Sequence, residues 1–194
     1  MNQHQTVAAT EAGTSDTLWA RRAAAVALFA ALTAIGARLA VPLPGTPIPF
    51  TLQPVAVLLT GVLLGSRLGA ASQFAYLAAG AAGLPVFAAG GGLAYLGGPT
   101  GGYLLAFPVA AFVAGWIAGA KPNLPRVIAG SVVGLLIVHL SGAAWLSLQP
   151  IVTGGSAQVF RLSFEPFFVG DLLKVALVAV VALGLGDRVR RFVA

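Results

Sequence analysis

The chain has 194 residues, of which 58% are hydrophobic and only 8% charged, with a net charge of +6 and a mean hydropathy of +0.93. A soluble domain carries about a quarter charged residues, so this chain has too few charges to cover its apolar surface in water, and lipid is its natural solvent. The absence of cysteine excludes disulfides, thiolate metal sites and thiol nucleophiles, and the basic residues stand in ones and twos beside apolar runs, which argues against a nucleic-acid-binding surface.

Residues 1–17 are polar and lack a basic segment ahead of the first apolar run, so they read as a disordered cytoplasmic tail and not as a cleaved signal peptide. With roughly 20 apolar residues per crossing, spans fall at Leu18–Ala40, Ile48–Leu64, Leu68–Gly83, Tyr103–Ala120, Arg126–Leu148 and Phe167–Gly186. The second and third are short and separated only by Gly65, Ser66 and Arg67, which suits a tilted or tight hairpin. With the amino terminus inside, Arg21, Arg22, Arg67, Lys121, Arg126, Arg188, Arg190 and Arg191 lie on the cytoplasmic side, against Arg38, Arg161 and Lys174 outside. That asymmetry supports an even number of spans. The expected fold is therefore an all-α integral membrane protein, a compact bundle of six transmembrane helices with both termini cytoplasmic.

The outward segments differ in character. Between the first two spans, five prolines at 42, 44, 47, 49 and 54 predict a stiff extended loop. Between the third and fourth, glycines permit tight turns and close backbone approach. Residues 149–166 read as a polar, mobile connection.

Ionisable residues inside a span are costly and mark functional candidates. Asp171 and Lys174 lie three apart on one face, in the outward third of the last span. They either pair with each other or share a polar ligand. An ammonium can offset an anionic ligand group, and a carboxylate can accept from ligand N–H groups. Thr51 and Gln53 offer a hydroxyl and an amide where the proline-rich loop meets the second span, as pocket-mouth groups or as a local cap. Tyr76 and Tyr103 suit either a pocket or an aromatic belt. The segment GGPTGGY lacks the lysine and following hydroxyl of a phosphate-binding loop.

An intramembrane enzyme would rest on His139 and Ser141, but residues two apart point to different helix faces. No second intramembrane carboxylate, metal-ligand cluster or nucleophile elbow accompanies them, so the chain is not expected to be an enzyme or to hold a metal. Neither inverted repeats nor charged pore rings suggest an autonomous transporter or channel. The sequence also has no ATP-binding motif, so uphill import needs a partner or an ion gradient.

Three segments together, IPFTLQ at 48–53, GLPVFAAGGGLAYLGGPTGGYL at 83–104 and FVGDLLKVAL at 168–177, resemble the BioY family, the biotin-specific S components of energy-coupling factor (ECF) transporters. The resemblance covers about residues 18–186. It implies a six-helix substrate-binding domain over residues 18–194 that encloses biotin near the outer surface of a bacterial cytoplasmic membrane. It further implies a transmembrane T component and two cytoplasmic ATPases as partners, with ATP used only by those partners and no cofactor in this chain. By the same resemblance Asp171 and Lys174 contact biotin, and Thr51 and Gln53 belong to a loop closing over it. Gly98, Thr100, Gly101 and Tyr103 line the pocket, with Tyr76 nearby. Some relatives carry a basic residue where this chain has Gly90, Gly91 and Gly92, a departure that places more of the anion binding on Lys174 or Arg38. S components dock through small residues on the first helix, and Ala23, Ala27 and Ala31 form such a row, spaced for close helix approach.

Overall fold

The computed structural model describes the backbone of residues 3–193 and the side chains of residues 16–193. The tail expected over residues 1–17 lies almost wholly outside the described side chains. In chain order come α1 (Gln3–Arg38), a hairpin of β1 (Ala40–Val41) and β2 (Phe50–Thr51), α2 (Gln53–Leu64) and α3 (Ser66–Ala81). Then follow α4 (Leu93–Leu96), α5 (Gly101–Ala118), α6 (Leu124–Leu146), α7 (Gly155–Ser163), a 3-10 turn (Glu165–Phe167) and α8 (Phe168–Val193).

The six expected crossings correspond to α1, α2, α3, α5, α6 and α8. Among the described residues, four stretches are individually long and apolar enough to traverse a bilayer: Asp16–Arg38, Gly101–Ala118, Leu124–Leu146 and Gly155–Val193. The pair α2 and α3 is shorter, at 12 and 16 residues. It reverses at Gly65, whose φ of 84° is open to glycine and strained for other residues.

Two segments depart from expectation, and both have local causes. The second helix begins at Gln53 and not at Ile48, because Pro47 and Pro49 hold their preceding residues in extended conformations. The freed segment pairs antiparallel with the end of the first span, Ala40 opposite Thr51 and Val41 opposite Phe50. The connection at 149–166, expected to be a mobile loop, instead forms α7 and the 3-10 turn. The Gln158 side-chain oxygen accepts the Thr153 and Gly154 amides at 2.9 and 2.5 Å, fixing the start of α7. Phe160 and Phe164 stack behind it, with ring centroids 5.6 Å apart.

Glycine allows α2 and α5 to touch backbone to backbone. A β-carbon at Gly61 would run into the Ala111 carbonyl, and one at Gly115 would sit 2.5 Å from the Gly61 oxygen. Such contacts replace the hydrophobic drive that is missing between helices in lipid. Polar contacts add to them: Gln73 of α3, fully buried, donates to Thr33 of α1 at 3.1 Å and to Thr60 of α2 at 3.2 Å.

The helix ends near the carboxy terminus are tied by arginine. Arg190 of α8 donates to the carbonyls of Val62, Gly119 and Ala120 at 2.5, 2.7 and 2.6 Å, and Arg22 of α1 donates to the Val193 carbonyl at 3.0 Å. Residues from α1, α2, the α5–α6 connection and α8 thus share one end, which agrees with the topology drawn from charge asymmetry. Replacing Gln73 with alanine removes both interhelical hydrogen bonds while each threonine keeps its bond to its own helix. The expected loss is about 1 kcal/mol, read as a lower melting temperature in detergent; an unchanged melt would show that the Gln73 bonds do not help to hold α1, α2 and α3 together.

Candidate functional site

At the end opposite the arginine ties, the β hairpin, the α4 segment and the outer turns of α5, α6 and α8 converge on an inner cavity. Ile48, Pro49, Thr51 and Gln53 come from the hairpin side, Tyr103, Leu104 and Phe107 from α5, Val138 and His139 from α6, and Lys174 from α8. Phe167, Ala88, Tyr95 and Thr100 complete most of the wall. The space inside is about 50 Å³, and a vestibule of about 540 Å³ adjoins it, sharing Pro49, Ala88, Tyr95 and Thr100. Small-molecule pockets run to about 300 Å³ or more, so a bicyclic guest fits the inner cavity only with outward movement of the hairpin or the Tyr95 segment.

The polar groups of the wall are fixed from behind. Thr51 donates to the Gln53 side-chain oxygen at 3.3 Å, and the Gln53 amide nitrogen donates to the Tyr76 hydroxyl at 2.6 Å. Tyr76 in turn donates to the Val86 carbonyl at 3.2 Å. This chain of bonds sets which edge of the Gln53 amide faces the cavity. Tyr103 packs over Gly142, where a β-carbon would strike the ring, and its buried hydroxyl stands near the Ser163 hydroxyl without a well-formed hydrogen bond. A hydroxyl both donates and accepts, so capacity is left for a guest.

Lys174 is 4% exposed, and its ammonium donates to Asp171 at 2.9 Å and lies 4.2 Å from the centre of the Phe50 ring. A charge buried this deeply is tolerated because it is paired and lies over an aromatic face. An ammonium has three donors and the carboxylate takes one, leaving capacity directed at the cavity. Asp171 has a second partner, His139 Nε2 at 2.5 Å, and His139 Nδ1 lies 2.9 Å from the Ser163 carbonyl. Among the described residues no cluster of three or more His, Cys, Asp or Glu is arranged to hold a metal ion.

With this geometry in view, known proteins are informative. The family model described as the BioY family matches residues 4–191. The probable biotin transporter BioY of Pyrococcus horikoshii is 42% identical over 84% of this chain and 94% of its own length. The biotin transporter BioY of Thermotoga maritima is 38% identical over 81% of this chain and 91% of its own. A crystal structure of the S component for biotin from an ECF-type ABC transporter superposes with a TM-score of 0.75 at 29% identity, covering 98% of this chain and 93% of that one. The chain belongs to the BioY family.

Within this BioY-family fold the residues singled out in the sequence fall into two layers. Thr51, Gln53, Thr100, Tyr103 and Lys174 line the inner cavity. Tyr76 stands behind Gln53, and Asp171 stands behind Lys174 and His139, so neither forms part of the inner wall. Gly98 borders the vestibule and its carbonyl accepts the Trp145 indole N–H at 2.9 Å. Gly101 is packed beneath the Leu96 carbonyl, where any β-carbon would clash, and lines neither space. Arg38 donates to the Pro85 carbonyl and is not on the inner wall. In sequence His139 and Ser141 stand two apart on one helix. The structure separates the two, Ser141 donating to the Gly102 carbonyl at 2.9 Å, and brings His139 to the cavity instead.

A larger apolar crevice of about 640 Å³ opens between α6 and α8, lined by Val132, Leu136, Phe164, Phe168 and Leu172 among others. Its walls include exposed apolar side chains such as Leu136, Phe160, Phe168 and Leu172, with His139, Glu165 and Asp171 as its polar part. His139 lines both spaces and forms part of the partition between them.

Asp171→Ala leaves the Lys174 and His139 nitrogens without their shared carboxylate, a loss of about 3 kcal/mol for a broken buried pair. Adding Lys174→Met to that variant recovers part of the stability. Thermal melts of the single and double variants check this, and equal losses would show that leaving the Lys174 ammonium unpaired carries no cost.

Proposed function

We propose that this chain captures biotin from the outer side of a bacterial cytoplasmic membrane and delivers it inward as the S component of an ECF importer. The observation that carries the reading is a buried ammonium, Lys174, on the wall of an outward-end cavity that also presents His139, Thr51, the Tyr103 hydroxyl and a Gln53 amide oriented by Thr51 and Tyr76. Biotin presents a carboxylate, which suits an ammonium, and a ureido ring with both donors and acceptors, which suits an amide and two hydroxyls. Aromatic and aliphatic walls from Phe107, Phe167, Leu104 and Val138 suit its apolar parts. The BioY-family relatives named above as biotin transporters support the same ligand.

Transport of this kind makes and breaks no covalent bond. Energy comes from ATP hydrolysed by two cytoplasmic ATPases joined through a transmembrane T component. Ala23, Ala27 and Ala31 are exposed on α1, a row of small side chains along which a partner helix can approach closely. Substituting them with leucine is expected to cut uptake in cells while leaving biotin binding by the purified protein unchanged.

Binding of radiolabelled biotin to the purified protein, compared with thiamin and riboflavin, tests the ligand. Selective biotin binding is expected, and none would defeat the reading. Lys174→Ala should weaken binding at least about tenfold, or about 1.4 kcal/mol. Uptake by cells with and without the ATPase partners separates a subunit from a self-sufficient carrier.

A further inference from the structure

We infer that His139 is a positioning residue for ligand binding: with Asp171 it holds a single proton that keeps the site at a net charge of +1 and so selects an anionic guest. The inference rests on the biotin reading for the identity of that guest, but the proton follows from hydrogen-bond geometry alone. His139 Nδ1 lies 2.9 Å from the Ser163 carbonyl oxygen, which can only accept, so Nδ1 carries a hydrogen. Nε2 lies 2.5 Å from Asp171 Oδ2. At that distance a lone pair on nitrogen facing a lone pair on a carboxylate would repel, so a proton lies between them.

The charge count does not depend on which of the two atoms owns that proton. An imidazolium beside a carboxylate sums to zero, and so does a neutral imidazole beside a carboxylic acid. The Lys174 ammonium then stands as a net +1 on the cavity wall. Removing the proton leaves a neutral imidazole, and Asp171 then cancels Lys174 alone. The site drops to zero net charge, and the repelling lone pairs drive Asp171 away from α6.

The charged, titratable and aromatic groups facing His139 come from three elements packed against it. From α8 come Asp171 and, through it, Lys174; from the 3-10 turn comes Glu165, which lines the same crevice. From α5 comes the neutral Tyr103, edge-on with centroids 6.0 Å apart, while Phe164 and Phe167 cover the ring at 5.4 and 5.7 Å. Among these, Lys174 is the sole cation, and the carboxylate between it and the imidazole shields one from the other.

The sign of the pH dependence follows. An ionised guest binds best while the pair holds its proton, and binding weakens once that proton is lost. For wild-type protein, the affinity for ionised biotin is expected to weaken about tenfold as the pH is raised. Biotin methyl ester, which is neutral, should show no such slope. His139→Gln, whose amide still donates to Asp171 but does not titrate, should give a flat profile with biotin. Nitrogen NMR of histidine-labelled protein without biotin reads the pair directly: His4, the other histidine, is replaced by glutamine to leave one signal. Both His139 ring nitrogens should report a bonded or shared proton at pH 6, and Nε2 should lose it on raising the pH. A free Nε2 lone pair at every pH, a flat wild-type profile, or an unaltered slope in His139→Gln would each overturn the inference. Failure to bind biotin at any pH would instead sink the biotin reading, with the NMR signal still deciding whether the proton is held.

Discussion

A charge placed near the middle of a membrane-crossing helix costs about 2.5 to 3.5 kcal/mol on insertion scales, and the outward half of this protein is arranged around meeting that cost. Asp171 is bonded on one side to an ammonium one turn along its own helix and on the other to an imidazole from α6. The imidazole is anchored in turn to the backbone at the end of α7. One carboxylate therefore registers three elements against one another, across a helix pair that is otherwise parted by an apolar crevice. Because all its bonds face protein, Asp171 sets the position of Lys174, whose ammonium faces the cavity.

The opposite wall follows the same plan with neutral groups. Gln53 sits at the first turn of α2, held by Thr51 from the hairpin and by Tyr76 from α3, and Tyr76 is held by a carbonyl of the glycine-rich connection. Gln53 on the cavity wall is thus oriented in part by Tyr76, which does not face the cavity. Pre-setting side chains in this way lowers the entropy lost when a small ligand binds.

Much of this was legible in the sequence because lipid imposes strong rules. Apolar runs of sufficient length, the arginine asymmetry and the isolated Asp171 and Lys174 gave the crossings, their direction and the site's end of the bundle. The layering of the site was not legible, since spacing along one helix says that two residues share a face and nothing about which neighbour intervenes. Asp171 and Tyr76 have the same chemistry in either layer. His139 left a signal that depth would have revealed: it lies about 10 Å inside the outer end of α6, and Lys174 lies about 9 Å inside that of α8, at 1.5 Å per residue. The hairpin escaped notice because two-residue strands carry no periodicity, and α7 because a nine-residue amphipathic segment in a polar connection resembles a loop in composition.

The brevity of α2 bears on the depth of the site. Twelve residues of helix reach only about 18 Å, against a hydrocarbon layer of about 30 Å. Every residue of α2 is buried or half-buried against other helices, so that shortfall is met by protein inside the bundle and not by the lipid around it. The first residue of α2, Gln53, is thereby held at the depth of the inner cavity, level with the groups that α5, α6 and α8 contribute to its wall.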